Sequence, residues 1–284
     1  SAAYKLDGIL SAATYKLWFA ALLESDFASV SALVAGIDVS ADSSGTFTDA
    51  SGGYLTAGLK VGMVGRWTGW STTGNNSRNF WITALTATVM TGIFLDGTAV
   101  TTDAGGASDN VTFTPVGKFS KSPLTGHTDD YYTVEDFYQD KTFSDLFGDC
   151  KVGQIGVGLS ADANSSFTAD LVCLSRSKGA AQILTSPTAE TSTGIMSAIN
   201  GKLYVNGSSM GNVSNLQLTI ANGAANAGFV IGSNNSPSVS KGRIKVSGSF
   251  AAMFDSQAIQ TLYDAETAVS LLSVLTSDET ATSD

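Results

Sequence analysis

Residues 212–223, NVSNLQLTIANG, and residues 241–275, KGRIKVSGSFAAMFDSQAIQTLYDAETAVSLLSVL, decide the fold. In the first stretch Leu216, Leu218 and Ile220 point one way and Gln217 and Thr219 the other. In the second, Ile244, Val246 and Phe250 alternate with Arg243, Lys245, Ser247 and Ser249. A two-residue period marks half-buried strands of an antiparallel sheet. The strands lead to a short acidic helix, Asp255–Ala265, and a strand at Ala268–Leu271. The pattern presents a face to be covered and holds no cluster of catalytic side chains.

The alternation continues toward the N-terminus. Val152–Leu159 and Ser166–Leu174 form a hairpin turning at Asp162-Ala163-Asn164. Ile155, Val157 and Leu159 share one face; Gln154, Gly156 and Gly158 share the other. That small, polar face suits the lining of a lumen, or any solvent face. Tyr131–Phe137, with Glu135 and Asp136, is a further strand, and Thr142–Phe147, with Asp145, reads as a short helical turn. Near the start, Ser11 is a good N-cap for a helix to Leu23, with Leu17, Ala20, Ala21 and Leu23 for a core face and Trp18 and Phe19 adding apolar area. Such a helix covers its own sheet or sits at a subunit boundary.

Three segments in this order resemble siphophage major tail tube proteins, the long-tailed-phage subunits whose rings stack into the tube that conducts DNA. The first is DGILSAATYKLWFAALLESDF (Asp7–Phe27), similar to that family's strand-helix unit. The second is Tyr131–Cys173, YYTVEDFYQDKTFSDLFGDCKVGQIGVGLSADANSSFTADLVC. The third runs from Asn222-Gly223 through the Gly242–Phe250 strand to Ala268–Leu271. The resemblance implies homohexameric rings stacked into a tube, with strands of neighbouring subunits joined into one inner β-barrel. It implies self-association, a tape measure protein inside the tube, and terminator and distal tail proteins at its ends. Double-stranded DNA would pass transiently without specific binding, and the protein would reside in the virion after assembly in the host cytoplasm. Relatives carry a further N-terminal arm and a hairpin after the position of Leu275. This sequence begins at Ser1 inside a strand and ends in TSDETATSD, so either it is part of a longer product or this member has diverged.

Between Gly45 and Phe119 the style changes. Turn signals recur at Ser51-Gly52-Gly53, Thr73–Asn76, Asp96-Gly97 and Asp103–Gly106, separating short strands at Met63–Trp70, Asn79–Leu85, Val89–Leu95 and Val111–Val116. Residues 45–118 therefore read as an inserted β-barrel or sandwich module of five or six strands. Some tail tube relatives are similar here, and their insert decorates the ring or supports contacts between rings. Arg66, Trp67, Trp70, Phe80 and Trp81 carry the interface-prone chemistry. Trp67 and Trp81 are expected in the module's own core.

The chain of 284 residues is long enough for one large β domain or two smaller ones. Charged residues make up only 14%, against 43% hydrophobic, so the surface is polar but weakly charged and suits packing against protein. The net charge of −10 argues against gripping nucleic acid, which requires Lys and Arg to displace counterions. The acidity is compatible with a duct whose wall repels phosphate, and equally with simple solubility. Cys150 and Cys173 lack CxxC spacing and a nearby histidine, which argues against a metal or redox motif. Side by side on adjacent strands or apart as buried thiols are both open, and the thiols are favoured. No apolar run is long enough to span a membrane, and no segment reads as a signal peptide.

Phe119–Asp130 is a linker by composition and holds the one histidine, His127. Arg176–Ser197, rich in Ser, Thr, Ala and Gly, reads as a long loop that reaches a neighbouring subunit or lies on the surface. No phosphate-binding glycine loop, zinc-protease helix or nucleophile elbow occurs. Paired carboxylates at Glu135/Asp136 and Asp129/Asp130 leave only glycosidase-like chemistry open. No catalytic, cofactor-binding or metal-binding residue is assigned, and the chain is not expected to be an enzyme. The expected fold is all-β: a tail-tube sandwich or partial barrel of residues 1–44 and 119–284, with one or two short helices and the 45–118 module inserted. The rival from another class is a surface adhesin or carbohydrate-binding β protein using the Trp-bearing module.

Overall fold

The computed structural model describes residues 2–11, 13–27, 33–36, 39–106, 108–115, 123–186, 191, 193–228, 230–233, 235–253, 257–266 and 268–275. In chain order the elements are β1 (Ala2–Ile9), α1 (Lys16–Leu23), β2 (Leu33–Gly36), β3 (Val39–Asp42), β4 (Thr46–Asp49), β5 (Val64–Thr68), β6 (Asn79–Leu85), β7 (Val89–Phe94), β8 (Val111–Pro115), β9 (Tyr132–Tyr138), β10 (Phe143–Ser160), β11 (Ser166–Gly179), β12 (Lys202–Val205), β13 (Ser208–Met210), β14 (Val213–Ala221), β15 (Ala225–Asn226), β16 (Val239–Ser240), β17 (Lys245–Ala252), α2 (Ala258–Asp264) and β18 (Leu271–Val274). The fold is all-β, with two short α-helices among the described residues.

The alternation read in the sequence becomes a six-stranded antiparallel sheet in the order β1-β11-β10-β14-β17, with β9 pairing the first half of β10. Register places like with like. Leu6, Ala169, Ile155, Ile220 and Val246 form one row across five strands, and Gly8, Phe167, Val157, Leu218 and Gly248 the next. These rows share one face because side chains alternate with a period of two. Helix α1 covers that face: Ala21 and Leu22 are buried in the same core, and Tyr15 stacks on Phe167 at 4.0 Å between centroids.

Several local expectations are corrected. Helix α1 starts at Lys16 with no side-chain cap, because Ser11 is taken up by a bridge to Ile195 and by its hydroxyl contact with Thr14. Leu17 is exposed, since the short helix turns Ala20, Ala21 and Leu22 to the sheet instead. Thr142–Phe147 is not a helical turn: Phe143–Phe147 begins β10, held by pairing with β9 on one side and β11 on the other. Arg176–Gly179 belongs to β11, not to the loop that follows. Cys150 and Cys173 are not free thiols; they face each other across β10 and β11, fully buried, and form a disulfide. The last strand is Leu271–Val274, paired with β12. Residues 254–256, which begin the expected Asp255–Ala265 helix, lie outside the described residues, as do 116–122 of the linker and the neighbouring strand end.

The second body of strands is a seven-stranded sheet, β2-β8-β5-β6-β7-β4-β3, which takes in two strands before Gly45. It curls around Phe47, Trp67, Trp70, Phe80, Phe94 and Phe113, with Trp67 stacked on Phe47 at 4.7 Å between centroids. The curl demands a tight crossing at Gly69, whose φ is +86° and whose Cβ, were there one, would lie 1.9 Å from the Asn110 carbonyl oxygen. On the other side of β6, Trp81 packs with Leu95 and Tyr204, and with Leu272 and Val274 of β18. Tyr204 Oη and Lys202 Nζ both donate to the Leu95 carbonyl, at 3.1 and 2.9 Å. The three-stranded sheet β13-β12-β18 thereby seals the outer surface of the seven-stranded one.

Candidate assembly surface

The side of the six-stranded sheet away from α1 carries the other half of the alternation. Lys5, Asp170, Gln154, Ala221 and Lys245 face one another in one row; Asp7, Thr168, Gly156, Thr219 and Ser247 in the next; Ile9, Ser166, Gly158, Gln217 and Ser249 in the third. Two lysines and two aspartates balance, and the rest is small or uncharged. Lys5 and Asp7 pair at 3.1 Å, and Gln154 Nε2 donates to Asp170 at 3.3 Å. Gly156 and Gly158 are overhung by the Thr168, Ser166 and Gln217 side chains, so the surface is flat. The chain's acidity does not lie in these rows.

At one end a linker closes this face. Lys151 Nζ, on a side chain only 6% exposed, donates to both Asp129 oxygens at 2.7 and 2.8 Å and lies 4.2 Å from the Tyr131 ring centroid. Lys241 bridges Asp129 at 3.1 Å and Glu24 at 2.9 Å. His127 stands 3.8 Å from Glu24 and 2.9 Å from the Pro123 carbonyl. The Lys151 hydrogen bond, helped by Lys241, holds the Asp129 carboxyl below its usual range against partial burial. Burial works against the Lys151 ammonium, but Asp129 and Tyr131 outweigh it and raise its pKa. The cluster ties the end of α1, the linker, β10 and the segment after β16 to one another.

Strand β17 differs from every other strand of the sheet. All eight residues are exposed, Val246 at 64% and Phe250 at 38%. Among the described residues it pairs only with β14, and its other edge is open. The half-burial expected from its alternation is thus corrected: the period is present, but the described residues leave the apolar side exposed. An unpaired, exposed edge is a template for another strand.

The residues singled out in the sequence separate. Trp67, Trp70 and Phe80 are buried in the seven-stranded core and Trp81 beneath β12 and β18, so none of the four is a surface aromatic. Arg66 Nε donates to Asn79 at 2.7 Å. Glu135 and Asp136 do not face each other as a carboxylate pair. Glu135 accepts the Ile183 and Leu184 N–H groups at 2.7 Å each, and Asp136 accepts the Tyr4 hydroxyl at 2.6 Å. For Glu135, partial desolvation is outweighed by those two donors, and its pKa is lowered. Among the described residues no group of three or more His, Cys, Asp and Glu could hold a metal, and no helix is long and apolar enough to cross a membrane. The sequence reading missed the open β17 edge and the ion cluster; only Lys151, a lysine between Cys150 and Val152, hinted at the second.

A sheet with one face covered except along β17, one flat polar face and an open edge is that of a structural protein suited to association. The chain belongs to the phage tail tube protein family, whose sequence model matches residues 2–283. It is therefore a structural component of the phage tail, hence of the virion, and membership in this family implies a non-enzymatic protein that self-assembles among other tail components. A search of curated proteins found no match.

Proposed function

We propose that this chain forms homohexameric rings that stack into the tail tube, the conduit through which genomic DNA enters the host. The observation that carries the reading is β17, exposed on both faces and open along one edge while its apolar side continues the core rows. The open edge joins the β1 side of the next copy, and the sheets close into one inner barrel with no edge left. The flat polar rows face the channel. With two lysines and two aspartates in them, the wall is neutral and hydroxyl-rich: it offers DNA neither strong repulsion nor a basic trap. The seven-stranded module, residues 45–118 with the two strands before it, faces outward. The long segment after β11 and the Asn222–Lys241 loop reach the next ring. Tape measure protein occupies the channel during assembly in the host cytoplasm, and terminator and distal tail proteins close the ends.

Mass in solution tests the ring. The purified chain is expected to populate a species of six copies of the 29.2 kDa subunit. A monomer or trimer at every concentration overturns it and leaves a surface-binding β protein as the better reading.

A further inference from the structure

We infer that the turn at Val230–Ser233 of one copy seats in the groove between β13, β17 and α2 of a second copy, as a knob and socket between successive rings. The inference rests on the tube reading above.

The knob is a built feature. Strands β15 and β16 pair Ala225 with Ser240 and Asn226 with Val239, and the Ala227 N–H donates to the Ser238 carbonyl at 3.0 Å. This two-stranded stalk is anchored at its base by Lys241, bound to Glu24 and Asp129. At its tip the Ser233 N–H donates to the Val230 carbonyl at 3.2 Å, with Gly232 at φ +89°. That is the geometry of a tight turn whose third residue must be glycine. The turn holds Ile231 fully exposed and Val230 at 51%. An aliphatic pair held out on a hydrogen-bonded stalk is left exposed by the described residues of its own chain.

Among the described residues nothing fills the socket. A groove of about 1000 Å³ is lined by Met210, Phe250, Met253, Ile259, Leu262 and Tyr263, among others. Met253 and Tyr263 are 73% and 82% exposed. The two surfaces match in charge: none of the fifteen described groove-lining residues is charged, and residues 222–240 contain no Asp, Glu, Lys or Arg. In a chain of net charge −10, copies repel except where their surfaces are neutral.

Topology makes the contact one between copies. The stalk follows Ala221, at one end of β14; the groove lies beside Val213 and Ala252, at the other. Nine residues of strand separate them by roughly 30 Å. A knob and a socket at opposite ends of the same strands form a head-to-tail interface, which propagates along the strand direction instead of closing on itself.

The test uses the full chain. Ile231→Asp and, separately, Met253→Asp alter only exposed side chains and are expected to leave the rings intact while raising the concentration needed for tubes about tenfold or more. The double variant Ile231→Cys with Met253→Cys is expected to give a ladder of linked chains on oxidation, and neither single variant to do so. Tubes forming as readily from Ile231→Asp as from the wild type, or linkage of Ile231→Cys to itself, overturn the contact and leave the tube reading standing. A wild-type chain that forms neither rings nor tubes overturns both.

Discussion

At the scale of residues, the two cysteines and the tryptophans carry the sharpest expectations. Cys150 and Cys173 are paired across the middle strands and enclose a loop of sequence separation 23. Unfolded, unreduced protein should therefore show no thiol to a thiol-reactive dye; two thiols would contradict the bond. Replacing both by alanine is expected to lower stability by about 3 kcal/mol through unfolded-state freedom alone. Trp67 is fully buried among Phe47, Trp70 and Phe113, and its indole N–H has no hydrogen-bond partner among the described residues. Trp67→Phe should cost under about 1.5 kcal/mol and Trp67→Ala about 3–5, measured by denaturant unfolding. Equal costs would mean that the N–H is satisfied. Spacing could not have paired the cysteines: it shows each near a strand end, whereas the pairing depends on the register of β10 and β11, a long-range property.

At the scale of elements, the ion cluster sets a pH dependence. The Asp129 carboxyl is depressed in the fold, so its stabilisation is complete above the ordinary carboxylate range and is lost as pH falls through the depressed value. The Lys151 pKa is raised, so its contribution is complete below the ordinary lysine value and is lost as pH rises through the raised one. The linker should therefore stay closed from mildly acidic to alkaline pH and open in stronger acid. Hydrogen exchange of residues 123–131 across pH checks this; opening near pH 6 would contradict it. Asp129→Asn should cost roughly 1–2 kcal/mol, at the low end for a buried ion pair because Asp129 is itself 56% exposed. In β17, Val246→Lys should change monomer stability by less than about 0.5 kcal/mol yet prevent ring formation, seen as loss of the six-copy species. Strands with one buried face, such as β6, β7, β10 and β11, were legible from alternation. Their neighbours were less so. Phe143–Phe147 lacks a clean period because consecutive polar residues, Ser144 and Asp145, are both buried there on opposite faces, and β2 to β4 are too short to register.

At the scale of the whole molecule, the all-β class and the tail tube family were both legible, because each rests on the order of patterned segments. The surface proposed to line the channel was only half visible. Sequence shows that Gln154, Gly156 and Gly158 share a face, but not that Lys5 and Lys245 offset Asp7 and Asp170 there. Nor does it show that Trp81 is buried by strands more than a hundred residues away, which anchors the seven-stranded module to the C-terminal strand. These are facts of register and topology. The central claim is that the open-edged sheet is one segment of a tube wall, and the direct measurement is electron microscopy of the purified protein in negative stain. The account predicts six-fold rings or hollow tubes with a channel wide enough for duplex DNA. Isolated particles of one or three copies, even at high concentration, would contradict it.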